Sequence, residues 1–277
     1  MTSGPSRADE LLAHVPEGPI PSSQSGERLL DLIKVMARLR GPGGCPWDAE
    51  QTHQTLARHL LEETHELLQA IEAADDDAIR DELGDLLLQV VFHAQMAADE
   101  GRWDVDDVAE VLTKKLIYRH PHVFGEVDVA GADEVLVNWE KLKAAEKGER
   151  TDVEDDIPTA LPALARAAKV QRRAAGWGFE WRTVDGAMAA LREEVAELAA
   201  VLDDPDAVEA EVGDVLFATV AVARKAGVDA ETALRRTITG FAARYERFTE
   251  LAAQRGIDVE ASDEATLRAL FREAKAP

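Results

Sequence analysis

The sequence of 277 residues carries 54 acidic and 31 basic side chains, a formal charge of −23, and 46% of its residues are apolar. That apolar content can form a buried core, which excludes a wholly disordered chain. The negative charge excludes nucleic acid polymers and anionic membranes as expected partners. Clustered acidic residues instead favour divalent cations, which would also attach an anionic small substrate.

Residues 1–26 are rich in Pro, Gly, Ser and charge, and we expect a disordered N-terminal extension there without a signal peptide. Cys45 is the only cysteine, so an intramolecular disulfide is excluded, and a reducing, cytoplasmic location is expected. No later apolar run is long enough to span a bilayer, so no membrane partner is expected.

Helical periodicity begins at Leu29, and apolar residues recur at Leu32, Ile33, Met36 and Leu39. No convincing alternating strand pattern is found, so the sequence predicts an all-α fold. Helix breaks are expected where Gly, Pro and Asp cluster. They fall at 41–44, 75–77, 101, 121, 176–181, 203–205 and 227.

An internal repeat divides the predicted fold into two units. The segment 61–67 (LEETHEL) is echoed by 191–198 (LREEVAEL), and 82–87 (ELGDLL) is echoed by 211–216 (EVGDVL). A charged, proline-ended stretch separates the two copies and predicts a linker. The expected organisation is a first unit at 27–146, a linker at 147–158 and a second unit at 159–277.

Four acidic side chains of each unit lie where an antiparallel helical hairpin would bring them together. Residues three apart share a helix face, so Glu63 pairs with Glu66 and Glu82 pairs with Asp85. A turn centred on Ala74 places Glu66 level with Glu82, and Glu63 level with Asp85. The same arithmetic applies to the second unit around its own turn, for Glu194, Glu197, Glu211 and Asp214.

Carboxylates crowded between helices repel one another and lose hydration, so this arrangement favours a bound cation. The oxygen ligands come without cysteine or a consistent histidine, which favours Mg²⁺, with Mn²⁺ as a substitute, over zinc. Gly84 and Gly213 are expected to let the facing backbone approach, which would offset the ~1 kcal/mol that a helical glycine costs relative to alanine. A solvated acidic face is the alternative for one copy, and the matched second copy favours metal binding.

The acidic motif resembles that of the MazG family of nucleoside triphosphate pyrophosphohydrolases, in which Glu-Glu-x-x-Glu is followed after a short turn by Glu-x-x-Asp. The likeness covers nearly the whole chain. Further segments are similar to the tandem-domain bacterial members of that family, and they are GGCPWD at 43–48, RHPHVF at 119–124, DDIP at 155–158 and LPAL at 161–164.

The resemblance implies an all-α enzyme, usually a homodimer, that uses Mg²⁺ to convert nucleoside triphosphates to monophosphates and pyrophosphate and so cleans the nucleotide pool. It implies metal ligands at both sets of four carboxylates, with helical units packed as in a four-helix bundle. Glu62 and Glu193 would be general bases or groups that support the ligands. The chemistry agrees, because Mg²⁺ neutralises a triphosphate, polarises a phosphoryl oxygen and helps to ionise water.

Family members also hold the phosphates with a later helix that carries Asn-x-Lys-x-x-x-Arg. The first unit keeps Lys115 and Arg119 but has threonine at the asparagine position. The second unit keeps only Arg244, with isoleucine and glycine at the other two positions. We therefore expect the first unit to carry catalysis, although many tandem members use the second. A solvated helix end is the alternative for Lys115 and Arg119.

Aromatic residues are the expected contacts for a nucleobase. Trp47 and Trp177 are the candidates, with core packing as the alternative for each. The sequence has no Gly-x-x-x-x-Gly-Lys-Ser/Thr loop, which excludes phosphate recognition of the P-loop kind. His120 and His122 flank a proline, and a helix-ending turn is favoured there over a metal site.

Two other functions compete with hydrolysis. A di-iron carboxylate protein would repeat Glu-x-x-His on two helices, and Glu62-x-x-His65 has only Ala196 at the matching position in the second unit. A non-enzymatic dimerisation or regulatory module is the other alternative, and the two intact sets of carboxylates argue against it for the whole chain.

Overall fold

The computed structural model describes residues 11, 13–16, 26–132, 134, 135, 138, 139, 142 and 152–275. Most of the predicted N-terminal extension and residues 147–151 of the predicted linker lie outside those residues. Contacts divide the chain into two compact units, residues 1–149 and 150–277.

The first unit is built on a helical hairpin and a helix packed against it. Its helices in the described residues are α1 (Glu27–Arg40), α2 (Pro46–Glu50), α3 (His53–Ala73), α4 (Asp76–Asp99), α5 (Val105–Arg119) and α6 (Pro121–Phe124). Helix α4 packs along α3 and also contacts α1 and α5. The apolar core lies between α1, α3 and α4, and its buried members are Met36, Leu56, Val91, Phe92 and Met96.

A short turn joins α3 to α4. Ala74 ends α3 in the left-handed conformation, at φ 53°, which a residue with a side chain seldom adopts. Asp75 then caps α4, because its carboxylate accepts a hydrogen bond from the Ala78 amide at 3.1 Å. This turn coincides with the predicted centre of the hairpin.

The second unit repeats the hairpin and adds a long helix with a C-terminal partner. Its described helices are α7 (Ala163–Gly176), α8 (Val184–Ala200), α9 (Pro205–Lys225), α10 (Ala230–Arg255) and α11 (Glu264–Glu273). Helices α8 and α9 form the hairpin, and Asp204 caps α9 with Pro205 in its first turn. A separate apolar cluster joins α10 to α11 through Phe248, Ala252, Leu270 and Ala274.

Residues 152–158, the described part of the predicted linker, pack within the second unit. Arg173 on α7 donates hydrogen bonds to the carbonyl oxygens of Val153, at 2.9 Å, and Asp155. Ile157 is buried, and Arg166 forms an ion pair with Glu154 at 2.8 Å. This stretch is therefore fixed to α7 by polar contacts of Arg166 and Arg173.

All regular secondary structure in the described residues is helical, which confirms the predicted all-α class. None of the described helices combines the length and hydrophobicity that a bilayer span requires. The prediction about the two helical glycines is wrong. A Cβ placed on Gly84 or on Gly213 would meet no atom within 4 Å, so neither glycine makes room for the facing helix of its hairpin.

Candidate metal centre

The hairpin of the first unit brings three of the predicted ligands to one point. Glu63 and Glu66 extend from α3 and Glu82 extends from α4, and each offers a carboxylate oxygen within 4.8 Å of the others. Glu63 and Glu82 are half-buried, whereas Glu66 is exposed. The cluster is therefore open on one side and shielded on the other.

The hairpin of the second unit repeats this arrangement. Glu194, Glu197 and Glu211 also place one oxygen each within 4.8 Å of the others, with the same order of half-buried and exposed side chains. The repetition follows from the sequence, because the ligand spacing on each helix is the same in both units.

Asp85 and Asp214 lie outside these three-carboxylate sets, although both are close enough to act electrostatically. Partial burial raises the pKa of the Glu63 carboxyl, and the charges of Asp85, Glu66 and Glu82 raise it further. Asp85 is the strongest of these charges, as expected if Glu63 and Asp85 are level on facing helices. His59 opposes the shift.

Glu82 is a predicted ligand of the first unit that combines a raised pKa with a shielded oxygen atom. Burial raises the pKa of its carboxyl, and the charges of Glu66, Asp85 and Asp81 add to the shift in that order. Its Oε2 atom is shielded from solvent and has no hydrogen-bond partner in the described residues. A buried carboxylate oxygen in this state costs free energy until a proton or a cation binds to it.

The second unit shows the same two features, a carboxyl group with a raised pKa and a shielded carboxylate oxygen without a partner. Burial raises the pKa of the Glu194 carboxyl, with further contributions from Glu197, Asp214, Glu211 and Glu193. Glu211, the counterpart of Glu82, likewise has a shielded Oε2 atom without a partner in the described part of the chain. Oxygen atoms that are crowded, negative and unpartnered fit a hard divalent cation, so the residues present suit a metal of that type.

The two leading glutamates differ in their surroundings. In the first unit Glu62 is 61% exposed, and its Oε2 atom lies 3.1 Å from Nδ1 of His59. In the second unit Glu193 has no hydrogen-bond partner among the described residues, and Ala190 stands at the position that matches His59. The i, i+3 spacing of His59 and Glu62 could have revealed this pair from sequence.

The predicted phosphate-binding cations lie on helices that follow the hairpins. Lys115 is exposed on α5 and has no acidic partner in the described residues, and the Arg119 guanidinium stacks over Trp139 with 5.2 Å from its carbon to the ring centre. Arg244 on α10 contacts the last helix, since its Nε atom donates to the Phe271 carbonyl at 2.7 Å.

Trp47 and Trp177 remain predictions as nucleobase contacts. These residues are 52% and 53% exposed, so part of each is accessible to a ligand from solvent. The Trp47 ring meets the His59 ring edge-on at 6.3 Å.

An aromatic cleft in the second unit was missed by sequence reasoning. It has a volume of about 610 Å³, and its lining includes Phe241, Tyr245, Phe248 and Phe271 from α10 and α11. The Arg244 guanidinium carbon lies 3.9 Å from the centre of the Phe271 ring, at the edge of this group. The spacing of the three aromatic residues on α10 is helical, and it reads equally well as ordinary core packing. Aromatic faces beside a guanidinium can stack on a planar anionic ligand.

Two helical hairpins, each with three converging carboxylates that could hold a metal ion, define the class as an all-α protein with a duplicated acidic cluster. The sequence model of the MazG nucleotide pyrophosphohydrolase domain matches residues 51–124 and 182–248, which contain both hairpins. The chain belongs to the MazG family.

Three relatives illustrate the likeness. The nucleoside triphosphate pyrophosphohydrolase of Escherichia coli K12 is 43% identical over 88% of this chain and 95% of its own length. The nucleoside triphosphate pyrophosphohydrolase/pyrophosphatase MazG of Thermotoga maritima is 41% identical over 86% of this chain and 91% of its own length. The nucleoside triphosphate pyrophosphohydrolase of Mycobacterium tuberculosis is 49% identical over 56% of this chain and 47% of its own length.

Proposed function

We propose that this chain hydrolyses nucleoside triphosphates to monophosphates and pyrophosphate, with Mg²⁺ as the metal and Mn²⁺ as a substitute, in nucleotide-pool cleaning in the cytoplasm. The observation that carries the proposal is the three-carboxylate cluster with a buried, unpartnered glutamate oxygen, which occurs in both units. The names of the relatives that match over most of their length support the reaction class.

The ligands would be Glu63, Glu66, Glu82 and Asp85 in the first unit, and their counterparts in the second. A bound divalent cation would neutralise the triphosphate and make the α-phosphorus more electrophilic. The half-buried glutamates restrict the site to one side of the hairpin, while the exposed Glu66 leaves that side open to an incoming phosphate. A site that is shielded on one side and open on the other suits an anionic substrate that enters from solvent.

The leading glutamate is the proposed general base. A water that loses its proton to the Glu62 carboxylate attacks the α-phosphorus, the bond to the bridging oxygen breaks, and pyrophosphate leaves. Lys115 and Arg119 are the proposed contacts for the phosphates, and Trp47 for the base. Trp177, Arg244 and the aromatic cleft are the corresponding candidates in the second unit.

We propose the first unit as the main site of turnover. Lys115 and Arg119 supply two cations after its hairpin, whereas the second unit keeps only Arg244, which is partly engaged by Phe271. Glu62 also has a histidine partner that Glu193 lacks. The second unit would bind metal with its own carboxylates and turn over substrate more slowly.

A homodimer is the proposed assembly. Leu83, Leu87 and Val90 lie along one stripe of α4 and are 50%, 40% and 41% exposed, beside the uncovered Gly84. A second copy that packs here would bury this stripe and would use the close approach that a glycine permits. Light scattering after gel filtration should show a dimer that Leu87→Asp dissociates, while Val123→Asp, at an exposed position of α6, leaves it intact. An unchanged Leu87→Asp dimer would refute this interface.

The reaction class is tested by the products. Purified protein is incubated with Mg²⁺ and each of several nucleoside triphosphates, and pyrophosphate is separated from orthophosphate. Pyrophosphate with the monophosphate is expected. Orthophosphate with the diphosphate would refute the cleavage position, and no product from any nucleotide would favour the non-enzymatic dimerisation module.

A further inference from the structure

His59 on α3 joins three side chains of the first unit. Its Nδ1 atom lies 3.1 Å from Glu62, its Nε2 atom accepts from Nε of Arg58 at 3.2 Å, and its ring meets the edge of Trp47 at 6.3 Å. The side chain is 28% exposed, so these contacts leave it little freedom. No other described histidine contacts a leading glutamate.

The contact with Arg58 fixes the proton on the ring. A guanidinium donates and never accepts, so Nε2 of His59 presents its lone pair to Arg58. The neutral ring then carries its hydrogen on Nδ1, and that N–H donates to the Glu62 carboxylate. The two contacts therefore specify one tautomer, in which His59 is a donor toward Glu62.

The second unit lacks this arrangement. Ala190 stands at the position of His59, and the described residues provide no hydrogen bond for Glu193. A free glutamate at a helix surface samples several rotamers, and a general base acts only in those within reach of the water. Holding one rotamer raises the fraction of time that the base is competent.

We propose that His59 is a positioning residue that orients the Glu62 carboxylate for proton abstraction in the first unit. The proposal rests on the proposed hydrolysis. Glu62 is largely exposed, so the pair contributes little to folding. Its effect should fall on turnover, while substrate affinity and stability stay the same.

The test compares His59→Ala, His59→Asn and His65→Ala in the full chain with Mg²⁺ and a nucleoside triphosphate. His59→Ala removes the donor, and kcat is expected to fall about tenfold with KM and the unfolding midpoint unchanged. His59→Asn keeps an N–H donor near the position of Nδ1 and should recover most of kcat. His65→Ala is the matched control, because His65 is exposed on the same helix without a described partner.

Two outcomes would overturn the role of His59 while the proposed function stands. These are an unchanged kcat in His59→Ala, and an equal loss in His59→Asn and His59→Ala, in a wild type that releases pyrophosphate. A wild type that releases no pyrophosphate would overturn both proposals. An independent readout is the ¹⁵N spectrum of the histidine rings, where a hydrogen on Nε2 of His59 in place of Nδ1 would also refute the assignment.

Discussion

Glu82 and Glu211 occupy the same place in the two hairpins, and each buries a carboxylate oxygen that no described donor satisfies. A shielded polar atom without a hydrogen-bond partner lowers the stability of the fold. A protein keeps such a group when a ligand compensates for it. The metal-free carboxylate cluster is therefore a site of local instability, which a bound cation would relieve.

Removing the charge of Glu82 should make the metal-free protein more stable and, at the same time, weaken metal binding. In Glu82→Gln, the amide can donate to Glu66 and the repulsion falls, so the unfolding midpoint of the metal-free protein should rise. The increase in the unfolding midpoint that Mg²⁺ causes should become smaller. Thermal unfolding with and without Mg²⁺ measures both effects. Glu209→Gln, an exposed acid on α9, serves as the control, and an undiminished Mg²⁺ shift in Glu82→Gln would contradict the ligand assignment.

The raised pKa values of Glu63, Glu82 and Glu194 have a consequence for pH. Their protonated forms are favoured in the folded state, so their contribution to stability is full below the unfolded pKa of 4.5 and is lost as pH rises through the folded pKa. A triple substitution of Glu63→Gln, Glu82→Gln and Glu194→Gln should therefore raise the free energy of unfolding of the metal-free protein more at pH 7 than at pH 4.5. Urea unfolding at a series of pH values measures this difference, and a gain independent of pH would count against repulsion within the clusters.

The convergence of the carboxylates could be predicted from sequence, because spacing on a helix and symmetry about a turn depend on residue numbers alone. Packing between the helices decides which oxygen of Glu82 is left without a partner. No sequence pattern indicates that outcome. The contact of Arg244 with Phe271 could not be predicted for the same reason, since it joins residues 27 positions apart on separate helices.

At the scale of elements, the end of α4 is tied to the start of α3 by two stacked histidines. The Nδ1 atoms of His53 and His93 are 2.7 Å apart and their rings are parallel within 3°. Arg102, which also pairs with Glu100, faces Nε2 of His53 at 3.2 Å, so that nitrogen accepts. His53 therefore donates through Nδ1 to His93.

This pair should make the first unit sensitive to acid. Burial lowers the pKa of His93, and the neighbouring His53 lowers it further. The neutral form is thus favoured in the folded state, and its stabilisation is present above the unfolded pKa of 6.5 and is lost as pH falls through the folded pKa. The free energy that His93→Gln removes should be larger at pH 7.5 than at pH 5, as measured by urea unfolding. The exposed His65→Gln is the control, and an equal loss at both pH values for His93→Gln would contradict the pairing.

Helix boundaries were predictable where glycine or proline marks them. Helix α1 ends before Gly41, α7 ends at Gly176 and α9 ends two residues before Gly227. The break after α10 was missed, because Gly256 lies within a stretch whose apolar periodicity continues on both sides. Ala74 could not be predicted either, since its left-handed conformation is imposed by closure of the hairpin.

At the scale of the whole molecule, a duplicated hairpin has diverged around a retained carboxylate core. The clustered carboxylates and their exposure match between the units, whereas the cations, His59 and the aromatic residues do not. Duplication of this kind permits one copy to specialise in turnover while the other keeps metal binding or assembly.

Matching substitutions in the two units should show which unit carries catalysis. Glu66→Ala is expected to lower pyrophosphate release at least about a hundredfold, since it removes a ligand of the proposed active unit, whereas Glu197→Ala should change it less than about threefold. Steady-state release of pyrophosphate measures both. The reverse pattern would assign catalysis to the second unit, and equal losses would mean that the two clusters act together.

The most direct test of the carboxylate clusters is a Mn²⁺ titration of the full chain followed by electron paramagnetic resonance, with wild type compared to Glu82→Gln/Glu211→Gln. Wild type should bind Mn²⁺ saturably and release it to Mg²⁺. The double variant, which removes the unpartnered oxygen from both hairpins, should bind at least about tenfold more weakly. Equal affinity and stoichiometry in the two proteins would contradict the metal-binding role of these clusters.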